Sequence, residues 1–476
     1  MTIHFDYSVL SVQRPAIRKM LLVAAAALAA VQIASFGSAA SASAASASLG
    51  ITVEGVVQPG GTSTLFQGTA YVSASTLASA LGLSLDWNKT TKTATFAQGN
   101  RQLIVVANAK SAVINGARKP LAAAPVVQNG TLLVPARAVA AIFGASVSWS
   151  PTALELSPRL HPFVQGGKQG YVNTFGETVI AAKYDQANEF SGGLAIVSVG
   201  GKFGYIDASG KEVIAPQFSQ AFDFSEGLAL VEQDGKQYYI DVTGKTVISP
   251  SYDELYDFSG GLALVRKGDL FGYIDRTGKE AIAPQFEDAF YFSGGLAGVQ
   301  IEGKYGYIDR SGKIVIPAIY QHVSDFSDGL GLVQAEGEEG EGSFGFVNAT
   351  GKLVIPAQYA QAYSFSEGLA AVELDEGFGY VNAKGETIIT TTYDDVGDFH
   401  GGLASFGKDG KYGFINRKGD IVIPAKFDEV EAFDRGLAKV LVGKAPRLID
   451  AKGTIVAIAP WEVDESSDSA AAPATK

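Results

Sequence analysis

The groups in this chain with chemistry to offer are histidines, carboxylates and aromatic rings. Cysteine is absent, which removes disulfides, thiol nucleophiles and thiolate metal ligands together. His161, His322 and His400 stand far apart and provide no metal-binding or catalytic spacing. Paired carboxylates of the kind that hydrolyse glycosides can be drawn in many ways from 49 Asp and Glu residues. A catalytic pair should break any internal regularity at one place. The main break is the acidic stretch Ala335 to Gly342, whose glycines and charges read as a solvated loop. Many Gly-Lys pairs occur, but none lies in the G-x-x-x-x-G-K-[ST] pattern that cradles phosphate.

The elements that must position these groups are set by a repeat. From about residue 160 to 460 the glycine of an x-G-Y step recurs at Gly170, Gly204, Gly272, Gly306, Gly345, Gly379 and Gly413, with Tyr238 and Arg447 filling the slot in two further copies. The spacing is 34 or twice 34, apart from one step of 39. A period of this size marks a repeat array. In register with a second glycine (Gly176, Gly210, Gly244, Gly278, Gly312, Gly351, Gly385, Gly419 and Gly453), Asp or Asn stands three residues earlier in all nine copies. An aromatic stands eight residues later in all nine, and Phe stands fourteen later in eight, from Phe190 to Phe433. Asx-x-x-Gly is tight-turn chemistry, with the Asx side chain bonding backbone amides and glycine taking positive φ. The flanking G-Y-I-D, K-x-V-I-P and G-L-A-x-V runs alternate as short strands. Between the +8 and +14 positions the chain is either extended or one tight helical turn. One such unit cannot bury enough apolar surface alone, so neighbours must stack.

Turn chemistry outweighs a calcium ladder for the Asx column, because each turn offers one side chain, four of the nine are Asn, and calcium needs six to eight converging oxygens. The in-phase Phe column reads as core. The variable slot just before the x-G-Y glycine, Phe203, Phe271, Tyr305, Phe344, Phe378 and Tyr412, with Gln169 and Gln237 in two copies, is the candidate binding surface. Stretches such as GKYGYIDRSGKIVIPAIY resemble WG repeats, although Phe, Tyr or Gln replaces the tryptophan of the Trp-Gly step. That resemblance implies an all-β array and supplies no enzyme activity.

Ahead of the array, residues 48–158 hold a repeat of their own: Gly68, Val72, Gly82 and Trp87 return as Gly130, Val134, Gly144 and Trp149. Each half reads as strand, short helix, strand. Ser73 is the expected N-cap of the first helix, Pro135 the first residue of the second, and Gly82 and Gly144 the stops. NGTLLVPARAVAAIFGASVSW and its weaker copy resemble the copper amine oxidase N-terminal-like, or stalk, domain common in secreted proteins of Gram-positive bacteria. Despite the name, the resemblance implies no copper ligands. Arg137 reads as a helix arginine in a local ion pair.

Residues 1–44 read as a secretory signal, with Arg14, Arg18 and Lys19 before an apolar run from Met20 to Ile33 and A-x-A cleavage options up to Ala44. The run is shorter than the roughly 20 residues of a spanning helix, although retention as an anchor is the alternative. Residues 1–44 carry three Lys/Arg and one Asp/Glu, so without them 34 basic residues face 48 acidic ones, a net charge of −14. That sign disfavours nucleic acid. Residues 462–476 read as a disordered acidic tail.

The expected fold is therefore mainly β: an array of eight full repeats and a degenerate ninth over 163–461, preceded by a small α+β stalk domain. The array forms either an open solenoid or spiral, or a propeller-like ring; the 39-residue step and the degenerate ninth copy favour the open form. The expected function is that of a secreted or cell-surface, non-enzymatic binding or scaffold protein. Its partners would be cell-wall polysaccharide, peptidoglycan or another extracellular protein, with no cofactor, no metal and no integral membrane segment after cleavage. The alternative is an extracellular glycan-cleaving enzyme with a carboxylate site in the array.

Overall fold

The computed structural model describes residues 48–460, except 54–55, 67–68, 150–152, 338–341 and 444. Residues 1–44, read above as a secretory signal, and residues 462–476, read as a disordered tail, lie outside the described residues. Strands dominate, and two seven-residue helices, α1 (Ala74–Ala80) and α2 (Ala136–Ile142), belong to the first domain.

That domain has a seven-stranded sheet and a five-stranded sheet. Its first strand, Ser48–Val53, pairs in parallel with its last, Ala153–Ser157, so the two ends of the domain meet. Each helix follows a strand as expected. Ser73 caps α1, its Oγ accepting from the amide of Thr76 at 3.0 Å. Pro135 sits one residue earlier than expected, as the N-cap of α2 with extended backbone, where its missing N–H leaves no donor unpaired. Gly82 and Gly144 take the left-handed conformation after the helices. Leu77, Leu81, Val139 and Phe143 are buried. Arg137 is exposed, and among the described residues it has no ion-pair partner, so the expected local pair does not form.

The repeats form nine small sheets, here blades 1 to 9, in which each sequence unit supplies the outer strands of one blade and the inner strand of the next. Blade 4 is among the fullest: an inner strand Glu254–Ser259, then Leu262–Lys267, Leu270–Asp275 and an outer strand Glu280–Phe286, all antiparallel; in blades 3, 5, 6, 8 and 9 the inner strand is two residues long. The stretch between the +8 and +14 positions is thus strand in part, and no helical turn forms in it among the described residues. Among the described residues blade 1 has three strands, Leu160–Gln165, Lys168–Asn173 and Thr178–Tyr184.

All nine turns use the expected chemistry. In blade 4, Asp275 Oδ1 accepts from the amides of Thr277 (2.8 Å) and Lys279 (3.1 Å), and the same pair of bonds recurs from Asn173 to Asp450. From blade 2 on, each turn glycine packs on the isoleucine of the preceding blade: Gly210 on Ile180, Gly244 on Ile214, and so on to Gly453 on Ile423.

Blade junctions repeat three further contacts. The x-G-Y tyrosine meets the +14 Phe of the next blade edge-on, with ring centroids 4.9 Å apart for Tyr273 and Phe292. Its buried hydroxyl donates to a carbonyl of that blade, as Tyr273 does to Phe290 at 2.7 Å. Burial, reinforced by nearby carboxylates, pushes such hydroxyls far above the ordinary tyrosine range, so they remain donors. Serine hydroxyls at the ends of inner strands donate to the next +14 carbonyl, from Ser191 to Phe224 through Ser366 to Phe399.

The array closes. Val164 of blade 1 donates to the carbonyl of Ile458 at 3.0 Å, and Phe163 and Val172 pack with Leu437, Leu448 and Ala459 of the ninth repeat. Gly176 abuts Val456 of blade 9, through its backbone carbonyl rather than an isoleucine side chain. The propeller-like ring, not the open form favoured by the spacing argument, is the arrangement adopted. The 39-residue step is absorbed at the hairpin between Leu330–Gln334 and Phe344–Asn348, where Glu336 reaches Lys304 of blade 5 at 3.1 Å. The stalk domain docks on the Asx-turn face of blades 1 and 2. Arg101 grips Glu177 through two hydrogen bonds of 2.8 and 2.9 Å and lies 4.0 Å over the Phe175 ring.

Candidate functional site

The six candidate rings stand at the start of the strand that carries the x-G-Y step, five at its second position and Phe344 at its first, beside the hairpin at the end opposite the Asx turns. Because the stalk domain covers the Asx-turn side of blades 1 and 2, this column lies toward the other face. All six are half-buried. Phe203, Phe271, Tyr305, Phe344 and Tyr412 lie across from the +8 aromatics Phe218, Phe286, Tyr320, Tyr359 and Phe427. Phe271, Tyr305 and Phe378 also meet inner-strand rings: Tyr256 at 6.4 Å, Phe290 at 5.8 Å and Tyr363 at 6.2 Å. Carboxylates sit among them, with the Tyr305 hydroxyl donating to Asp288 at 2.8 Å and that of Tyr412 bonded to Asp395. Where glutamine replaces the ring, Gln169 turns inward and accepts from the Ala187 amide of the next blade. The arrangement is an arc of ring edges interleaved with carboxylates, which offers apolar contact and hydrogen-bond acceptance side by side.

Two groups of functional interest escaped the repeat analysis. The first is at the closure seam. His161 is 1% exposed, and its Nδ1 lies 3.5 Å from Glu189 Oε2. Arg435 Nη1 is 3.7 Å from the same oxygen, its Nε is 3.8 Å from Asp434, and its guanidinium donates to the Phe190 carbonyl. His161 is therefore not isolated, as its sequence position implied. Burial pushes the Glu189 carboxyl up, but His161, Arg435 and Lys439 outweigh that and hold it below the usual range. His161, Glu189 and Asp434 have the donor set of a divalent-metal site, yet the Arg435 guanidinium already supplies the cation. The cluster is an ionic plug at the seam, joining His161 of blade 1 and Glu189 of blade 2 to Asp434 and Arg435 before the second strand of blade 9. The sequence did carry a signal: the slot of His161 holds Ala or Gly in every other copy, from Ala195 to Ala438.

The second is Asp325, on the inner edge of blade 6. Its Oδ1 is shut off from solvent and accepts no hydrogen bond among the described residues. Burial alone pushes its carboxyl up to about 7. That property suits a general acid, but no second carboxylate contributes to its shift, as a hydrolytic pair would.

The third-strand glycines explain the name-giving step of the repeat. A β-carbon on Gly272 would fall 2.5 Å from Pro284 N and 2.6 Å from Ile282 O, so glycine lets the outer strand bulge across it. Where Tyr238 and Arg447 replace it, the outer strand shrinks from seven residues to three, Thr246–Ile248 and Ile455–Ala457.

A closed ring of nine four-stranded or near four-stranded sheets, with its invariant columns spent at the blade junctions, defines a propeller-like repeat protein. Eight stretches, 170–203, 203–236, 239–271, 271–305, 305–338, 344–377, 378–412 and 412–444, match the WG containing repeat, and residues 56–157 match the copper amine oxidase N-terminal domain. The chain belongs to the WG-repeat family. No curated protein matches it. Among solved structures, a eukaryotic initiation factor aligns at 14% identity and TM-score 0.37 over 66% of this chain and 88% of its own. Kluyveromyces lactis Hsv2 aligns at 12% and 0.30 over 53% and 91%. The extracellular domain of BT4673 from B. thetaiotaomicron aligns at 10% and 0.26 over 87% and 77%. At these scores the likenesses carry no functional argument.

Proposed function

We propose that this is a non-enzymatic binding or scaffold protein of the cell exterior, whose ring presents a repeated surface to a cell-wall polysaccharide such as peptidoglycan or to another extracellular protein. The observation that carries this reading is the division of labour among the columns. Turn glycines, +14 Phe rings, tyrosine hydroxyls and serine latches are consumed between blades, while the half-buried arc from Phe203 to Tyr412 faces away from the docked stalk domain. The export reading rests on residues 1–44, and no helix among the described residues is long and apolar enough to cross a membrane.

Sedimentation with purified cell walls tests the reading. The protein should pellet with them, and Phe271→Ala and Tyr305→Ala together should weaken pelleting. A glycan-cleaving activity is the second reading, favoured only by the perturbed Asp325 carboxyl. Release of reducing ends from the walls, abolished by Asp325→Asn, would establish it in place of the first.

A further inference from the structure

Blade 7 breaks the pattern in a way no other blade does. Its outer strand, Thr387–Thr390, is four residues long, yet its third strand keeps the glycine, Gly379. In blade 3, which is also shortened, the Tyr238 ring fills the vacated space and packs 6.5 Å from Phe218. In blade 7 the smaller Leu374 side chain lies over the glycine, its Cδ1 2.5 Å from where a β-carbon on Gly379 would fall, and Thr390, Thr391 and Thr392 stand where blades 4, 5, 6 and 8 carry Pro284, Pro317, Pro356 and Pro424. The result is a groove of about 1280 Å³ along the rim. Its lining includes the hairpin acids Asp375 and Glu376, the threonines, Tyr393 and Lys418 on the Asx turn of blade 8.

We propose that this groove binds one extended glycan chain; the proposal rests on the polymer-binding reading above and names its subsite. Three features select the ligand class. The groove exceeds the roughly 300–1,000 Å³ of a pocket for a compact small ligand and crosses the whole height of the blade, so it fits a polymer segment. It does not offer a strand edge to a peptide. The amide and hydroxyl of Thr391 both donate to the Phe378 carbonyl, at 3.1 and 2.7 Å, and cap the ladder that β-addition would extend. Carboxylates at one end, Glu373 with Asp375 and Glu376, repel polyphosphate chains. Threonine hydroxyls, acids and the Gln358 amide supply donors and acceptors for sugar hydroxyls, and the half-buried Tyr393 supplies ring surface. Tyr393 is held for that role by stacking on Phe406, 4.2 Å between centroids.

The test titrates the full chain with soluble peptidoglycan glycan strands and, in parallel, sediments it with intact purified walls. Thr392→Trp fills the groove, and Lys418→Glu changes one end without adding bulk; both positions are exposed, so folding is preserved and is checked by thermal melting. Val247→Trp, on the exposed outer strand of blade 3, is the control. The wild type and the control should bind the strands, while both groove variants bind about tenfold more weakly or worse, a loss of at least ~1.4 kcal/mol. Groove variants that bind strands and walls like the wild type would overturn the groove and leave the wall-binding reading standing. Wild type that pellets with walls but ignores the glycan strands would overturn the ligand class. Wild type that binds neither would overturn both.

Discussion

Replacing Gly272 by alanine isolates the role of the x-G-Y glycine. The added β-carbon would meet Pro284 N at 2.5 Å, Ile282 O at 2.6 Å and Ala283 C at 2.8 Å. All three are backbone atoms, so no side-chain rotation relieves the clash. If the outer strand stays, overpacking costs about 1–3 kcal/mol. If it peels away beyond Ile282, the blade loses the Phe271–Phe286 cross-strand pair and exposes Phe286, now 4% exposed, at about 1.5–3 kcal/mol. The variant takes the cheaper route, so the expected destabilisation is about 2 kcal/mol. Blades 3 and 9 show which route that is, since their strands end at Ile248 and Ala457. Hydrogen exchange read by mass spectrometry should show protection lost over 283–286 and kept over Leu270–Asp275. Unchanged protection at 283–286, with an urea midpoint equal to wild type, would refute the reasoning.

Tyr273→Phe removes the hydroxyl that donates to Phe290 at 2.7 Å but keeps the ring pair with Phe292, as Phe346 and Phe414 already do in their own junctions; the expected loss is about 1 kcal/mol in urea unfolding, and none if the bond is dispensable. Asp325→Asn removes a carboxyl whose folded value, about 7, lies above its ordinary 3.8. A raised folded value means that stability is fully present below about pH 4 and falls as pH rises toward 7, so the variant should equal wild type at pH 4 and exceed it at pH 8 by at most ~4 kcal/mol. A pH-independent difference between the two, from melting curves across that range, would contradict the assignment.

What the sequence disclosed and what it hid divide along physical lines. The Asx turns were legible because Asp275 bonds amides two and four residues ahead, a contact closed within one tight turn. The +14 Phe rings were legible as core because a repeated apolar position has few other uses. Closure was not legible. It depends on small rotations between successive blades and on one seam, where His161, Glu189 and Arg435 meet from opposite ends of the array. The three histidines were weighed by their spacing along the chain, whereas His161 in an alanine column meets its partners only across the seam. The half-burial of Phe203 to Tyr412 was equally hidden, since it is set by cross-strand rings such as Phe218 and Phe427 rather than by residues nearby in sequence. The groove at blade 7 left a faint trace, three threonines in place of a proline-bearing segment.

The most direct measurement of the ring itself uses the lack of cysteine in the chain. Val164→Cys and Ile458→Cys place one thiol pair across the seam, where the backbone bond between these residues is 3.0 Å long. A short bifunctional thiol reagent should join them within single molecules in high yield and lose that yield in urea. Cross-linking no greater than in the unfolded chain would show that the array is open.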